Sequence, residues 1–182
     1  MVKNESEIIE LIQNKQTVRQ GFERIVKAYG ELLYWQIRRM VLVHQDANDV
    51  LQNTFLKAWK SIGFFRAEAK LSTWLYRIAF NESIDFLNEK RKISKVAIDD
   101  PELSIIHKLE SDPYFDGDRA ELLLQAAIQT LPDKQRIVFN LRYYEEMPYQ
   151  EMSEILGTSV GALKASFHHA SKKVEEFLQE HD

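Results

Sequence analysis

The chain has 182 residues and is 45% apolar, with three Trp, seven Tyr and ten Phe, enough to bury real cores and too apolar for a disordered chain. It contains no cysteine, which excludes disulfides and thiolate metal sites and fits a reducing cytoplasm. No apolar run approaches the roughly 18 residues of a membrane span, and the opening MVKNESEIIELIQNK lacks the basic-then-apolar order of a signal peptide.

The net charge of −4 is unevenly spread. Residues 1–98 carry 16 Lys and Arg against 11 Asp and Glu, residues 99–121 carry 2 against 8, and residues 122–182 carry 6 against 9. The acidic strip in the middle leaves the first block basic. Nucleic-acid affinity rests largely on phosphate neutralisation, so this chain is expected to bind free DNA weakly.

In chain order, Phe22, Ile25, Val26, Tyr29, Leu32, Leu33 and Ile37 recur at three- and four-residue spacing, one buried helix face. Asp46 can cap a helix over residues 46–62, with Ala47, Val50, Leu51, Thr54, Phe55, Ala58 and Ile62 inward. Gly63 breaks it. Residues 64–72 read as a loop, and Ser72 or Thr73 can cap a helix to about Arg91, with Leu75, Ile78, Ala79, Ile84 and Leu87 inward.

The periodicity then fades. Asp99, Asp100, Pro101, Asp112, Pro113, Asp116, Gly117 and Asp118 are linker and turn chemistry, with room for a short buried helix over residues 103–109. Beyond Arg119, Leu122, Leu123, Ala126, Ala127 and Leu131 form a stripe, Pro132 suits the first turn of the next helix, and Ile137, Val138, Leu141 and Tyr144 continue the core. Pro148 opens a helix with Met152, Ile155 and Leu156 inward; Gly157 fits a left-handed helix end and Ser159 caps a last helix. There Val160, Leu163, Phe167, Ala170 and Val174 share one face, which turns Gly161, Ala165, His168, His169 and Lys172 outward. No strand pattern emerges. The expected fold is all-α: a helical domain over residues 1–96, an acidic linker over 97–118, and a helix-turn-helix domain over 119–182.

Both blocks carry DNA-handling chemistry. Phe64, Phe65 and Trp74 stand among Arg66, Lys70, Arg77 and the basic end at Lys90, Arg91, Lys92 and Lys95; aromatics beside cations suit unstacked bases. The second block suits a duplex major groove. Trp59, Trp74 and Phe80 fit a core equally well, whereas loop aromatics such as Phe64 and Phe65 have less structural excuse. The basic end fits phosphate contact or a solvated helix terminus. His168 and His169 are adjacent and point about 100° apart, so they cannot chelate one metal as a four-residue His pair would. No nucleophile–base pair, phosphate-cradling glycine loop or metal-ligand cluster is present, so no catalytic residue, metal, cofactor or small-molecule substrate is expected.

The stretches Asp49-Val50-Leu51-Gln52-Asn53-Thr54-Phe55, Leu71-Ser72-Thr73-Trp74-Leu75-Tyr76-Arg77-Ile78-Ala79, Leu131-Pro132 and Tyr149-Gln150-Glu151-Met152-Ser153-Glu154-Ile155-Leu156-Gly157 together resemble the extracytoplasmic-function (ECF) sigma factors of bacterial RNA polymerase. The resemblance covers roughly residues 17–95 and 120–178, in the family's order. It implies a region-two domain whose first helix docks on the polymerase beta-prime clamp helices through Asp49, Gln52, Asn53, Leu56, Lys57 and Lys60. It implies capture of flipped non-template bases of the minus-ten element by the 64–72 loop and the next helix, with Asn81 in the base pocket. It also implies a region-four domain that reads the minus-thirty-five element through Ser159, Gly161, Lys164, Ala165, His168, His169 and Lys172 and touches the beta flap. The acidic linker would follow the path of nascent RNA. Relatives are often restrained by an anti-sigma protein, so one is an expected partner.

The chain departs from the family in places. Asn53 stands where an acidic residue is usual, and Ala165, Ser166 and His169 replace the usual Ser, Arg and Arg. Losing two guanidinium groups should weaken duplex contact and change its salt dependence. Alternatives are a stand-alone helix-turn-helix regulator with a protein-binding N-terminal domain, which would bind a palindrome tightly without polymerase, and a small helical enzyme, which would need a polar cleft.

Overall fold

In a computed structural model, residues 5–93, 101–115 and 117–181 are described. The expected domain boundary at residue 96, the basic residue Lys95 and the linker aspartates Asp99, Asp100 and Asp116 lie outside them. Among the described residues there are nine α-helices and one short 3₁₀ turn, with no strand. They are α1 (Glu5–Gln13), α2 (Val18–Val41), α3 (His44–Ser61), the 3₁₀ turn (Ile62–Phe64), α4 (Leu71–Ile93), α5 (Pro101–Glu110), α6 (Arg119–Thr130), α7 (Asp133–Tyr143), α8 (Tyr149–Leu156) and α9 (Val160–His181). None is long and apolar enough to cross a membrane.

The first unit packs α1, α3 and α4 around the long α2, with Ile25, Tyr29, Leu33, Ile37, Met40, Val50, Leu71 and Leu75 inside. The second packs α5, α6, α7 and α9 around Leu109, Leu122, Ala126, Ile128, Phe139, Val174 and Phe177. The first core extends into the second unit: Ile137, Val138, Leu141, Met152, Ile155 and Leu163 belong to the same apolar cluster as α2 and α4.

Several local expectations meet long-range competition. Asp46 lies in the first turn of α3, but its carboxylate takes Lys90 and makes no cap; Val43 occupies the cap position without a side-chain bond. Neither Ser72 nor Thr73 caps α4, which starts at Leu71, and the buried Thr73 hydroxyl has no hydrogen-bond partner among the described residues. Pro132 and Pro148 occupy cap positions one residue ahead of α7 and α8. Val26 and Leu32, read as part of the buried face of α2, are exposed. By contrast Asp118 accepts from the Glu121 amide at 2.9 Å, Gly157 is left-handed at φ 62°, and Ser159 accepts from the Ala162 amide at 3.3 Å. Those devices are satisfied within a few residues, so no distant group competes.

Candidate nucleic-acid interface

Between the 3₁₀ turn and α4, residues 65–70 form a short loop whose entry is fixed by the Phe65 amide bonding the Ile62 carbonyl at 3.1 Å. Phe64 is 83% exposed, whereas Phe65 folds back onto Trp74 with ring centroids 5.2 Å apart. Ala67 is left-handed (φ 56°), a conformation that disfavours a side chain by about 1–2 kcal/mol. A hollow of about 160 Å³ opens here, lined by Phe64, Phe65, Arg66, Ala67, Glu68, Trp74 and Arg77. Among the described residues Arg66 reaches only Glu68, loosely, at 4.0 Å.

Trp74, Arg77 and Asn81 follow one another along α4 at helical spacing. Asn81 does not line the loop hollow. It faces a second hollow of about 680 Å³, shared with Phe80 and Ile84 on one side and Leu156, Gly157, Thr158 and Ser166 of the helix-turn-helix on the other. The Arg77 guanidinium donates to the Ile155 carbonyl at 3.2 Å and to the Glu154 carbonyl. These are unpaired acceptors at the C-terminal end of α8, where the helix dipole favours a cation.

Other cations of the expected DNA face are paired too. Arg91 makes a two-pronged bond to Asp133 at 2.6 and 2.7 Å, Lys70 approaches Glu151 at 3.5 Å, and Lys90 takes Asp46. The bonds from Arg91 hold the Asp133 carboxyl below its usual range, against burial, which acts the other way. Arg39 meets Glu145 at 3.0 Å and lies over the Tyr144 ring. Arg136, buried between the units, donates to the Met40 carbonyl at 2.7 Å; burial pushes its pKa down to about 10, so it stays charged at neutral pH.

The helix-turn-helix is α8, Gly157 and α9. Ser159, Gly161, Lys164, Ala165, His168, His169 and Lys172 are all exposed on it, while Leu163, Ala170 and Val174 are buried. The Lys164 ammonium and the Arg142 guanidinium approach the same Tyr149 ring, at 5.9 and 5.3 Å from its centroid. Neither Arg142 nor Tyr149 is among the DNA contacts expected from the sequence; a cation and an aromatic seven residues apart across a turn give no periodic pattern. The His168 and His169 rings lie 5.8 Å apart and tilted. Among the described residues no group of three or more metal-ligating side chains occurs.

Asp49, Gln52, Asn53, Leu56, Lys57 and Lys60 are exposed along α3, with Lys57 bonded to Glu82 of α4. Leu56 and Trp59 join Val26, Phe22 and Phe55 in a shallow apolar hollow, and the Trp59 ring packs edge-on to Phe22 at 5.0 Å. Trp59 therefore stands apart from the loop hollow, on the expected docking face.

The arrangement is that of an all-α protein with an exposed aromatic and basic loop on one unit and a helix-turn-helix on the other. Comparison with known proteins places this fold in a family. The family model Sigma-70 region 2 matches residues 25–93, and Sigma-70, region 4 matches residues 121–174. The ECF RNA polymerase sigma factor SigW of Bacillus subtilis (strain 168) is 30% identical over 176 residues, spanning 92% of this chain and 94% of that one. The RNA polymerase sigma-H factor of Pseudomonas aeruginosa is 27% identical over 185 residues, spanning 97% and 95%. The chain belongs to the ECF sigma factors of bacterial RNA polymerase, transcription initiation factors and not enzymes. The fold is shared with the sigma factor RpoE of Bartonella quintana, solved in complex with the anti-sigma factor NepR (TM-score 0.66, 22% identity, 87% of this chain and 96% of that one). It is shared as well with CnrH, solved with the cytosolic domain of CnrY (TM-score 0.67, 22% identity, 98% and 96%).

Proposed function

We propose that this sigma factor brings core polymerase to its promoters and starts melting them by taking non-template bases of the minus-ten element onto the 65–70 loop and α4. The observation that carries this is Phe64, a ring 83% exposed at the lip of a hollow backed by Phe65, Trp74 and Arg77. A ring so placed has no packing role, and beside cations it suits a base. Extruding a base costs a few kcal/mol, and stacking on an aromatic returns about 1–3 kcal/mol. Melting can then proceed without nucleotide hydrolysis, provided polymerase supplies the remaining binding energy. Arg66 and Lys70 would neutralise the strand's phosphates, and Asn81, one turn beyond Arg77, would contact an extruded base. Lys90 and Arg91 extend the basic track along α4.

In this reading α9 reads the minus-thirty-five element as duplex through Lys164, His168, His169 and their neighbours. The α3 face with Leu56 and Trp59 docks on the beta-prime clamp helices. The apolar groove of about 850 Å³ among Leu123, Leu124, Phe139, Tyr143, Val174 and Leu178 receives the beta flap. Lys70, Arg77 and Arg91 are bonded to the second unit, and Asn81 faces its turn. DNA would reach them only when the units part, which binding to polymerase would drive. An anti-sigma protein, as seen with the Bartonella relative, would hold the units out of use, and the chain would act where polymerase is, in the cytoplasm. The test is run-off transcription of genomic DNA with core polymerase, with and without the chain. New start sites preceded by a shared pair of elements are expected; no new starts would overturn the reading.

A further inference from the structure

The start of α4 sets where the base-stacking loop ends, yet nothing in the loop caps it. A helix leaves its first amides unpaired, and here Ser72 and Thr73 provide no cap. The Leu71 amide donates instead to Oε1 of Glu5 at 2.8 Å, from 66 residues away. The other carboxylate oxygen, Oε2, accepts from the Tyr29 hydroxyl at 2.8 Å, and Tyr29 is 3% exposed in the core of α2. One carboxylate thus joins α1, α2 and the first turn of α4, and its charge sits where a helix dipole favours an anion.

Glu5 is itself held firmly. Ile8 and Ile12 of α1 are buried in the core, Glu7 pairs with Arg24, and the Thr17 hydroxyl closes the α1–α2 turn on the Leu11 carbonyl at 2.8 Å. Helix α1 also lies against the 3₁₀ turn that leads into the loop. It falls outside the region-two match, which begins at residue 25. The loop is therefore pinned at its entry by Ile62 and at its exit by Glu5, and between these points the left-handed Ala67 must be held in place.

We propose that Glu5 is a positioning residue for base capture. By fixing the first turn of α4 it holds the loop in the shape that presents Phe64 and keeps Phe65 on Trp74. This rests on the reading of the loop as the minus-ten capture element. The acceptor, not the bulk of α1, carries the effect.

The test uses holoenzyme reconstituted with core polymerase, on promoters mapped by run-off, with melted thymines scored by permanganate at a temperature where every variant is folded. Glu5→Ala is expected to lower open-complex formation on the order of tenfold, the effect of losing the charge-assisted bond to the Leu71 amide, with core affinity unchanged. Hydrogen exchange at the Leu71 amide should quicken by a similar factor. Glu5→Gln, which can still offer an oxygen to Leu71, should restore most of the melting. Tyr29→Phe removes the other bond to the same carboxylate and is the control for stability alone; it should melt promoters like the wild type. Unchanged melting by Glu5→Ala would overturn the proposal, as would equal defects in Glu5→Ala and Tyr29→Phe. If the wild-type holoenzyme opens no promoter, the capture reading fails and this inference falls with it.

Discussion

Phe64 and Phe65 are neighbours in sequence with different surroundings, and the difference sets what each substitution should do. Phe64 is almost free of the protein, so Phe64→Ala should change stability by no more than about 0.5 kcal/mol while removing about 1–3 kcal/mol of base stacking. Open-complex formation should fall at least fivefold with an unchanged melting curve; unaltered promoter opening would remove Phe64 from the capture surface. Phe65→Ala should lower stability as well, because its ring rests on Trp74. For Asn81, replacement by Ala should impair minus-ten recognition and spare polymerase binding, since the side chain is exposed; a parallel loss of polymerase binding would make it structural. The sequence marks both phenylalanines because a loop gives aromatics no packing role. It cannot tell them apart, since the partner of Phe65 is fixed only by the turn of the loop. Caps behave the same way. Asp118, Gly157 and Ser159 are legible because their partners lie within a few residues, whereas Asp46 is drawn to Lys90 and α4 takes its cap from Glu5.

At the scale of helices, periodicity finds the elements and their inner faces, because burial on one side imposes a 3.6-residue repeat. It fails where a helix carries apolar residues on a second, exposed face. Val26 read as core on α2, yet it is exposed beside Leu56 and Trp59. On the proposed reading this exposed apolar patch is the face that docks on polymerase. Leu56→Asp should therefore weaken core-polymerase binding on the order of tenfold or more, as removal of a central apolar anchor does, with thermal stability retained. Titration with labelled core polymerase checks this, and unchanged affinity would move the docking face elsewhere. On α9 the outward positions were legible, as was the lack of two guanidinium groups. His169→Arg should restore one phosphate-facing cation and steepen the salt dependence of promoter binding by close to one unit on a log–log plot. An unchanged slope would turn that face of α9 away from DNA.

For the whole molecule, the sequence separates two apolar blocks but cannot see that they share a core. Ile137, Val138, Met152 and Ile155 read as the inside of one small domain, and nothing in a periodic stripe says which helix covers it. In the folded chain they pack with α2 and α4, and charged contacts bridge the seam: Arg91 to Asp133, Arg39 to Glu145, Lys70 to Glu151, Arg77 to the end of α8. Partly exposed ion pairs contribute roughly 0.2–1 kcal/mol each, so each is a small and reversible part of what holds the units together. The Arg91–Asp133 pair gives the seam a pH dependence with a definite sign. Its folded pKa is lowered by Arg91, so the pair favours the closed form above the ordinary aspartate range near 4. That contribution fades as pH falls through the lowered folded value. At neutral pH the same contact can be cut by Asp133→Ala, which frees Arg91 and removes an acid from the DNA side of the seam. The isolated chain should then open more often, read as a longer mean distance between fluorophores on α4 and α9. It should also bind promoter duplex more tightly, with one further phosphate contact in its salt dependence. If the distance and the DNA affinity both match the wild type, the Arg91–Asp133 pair does not hold the units together, and the closed form rests on the remaining charged contacts and the shared apolar seam.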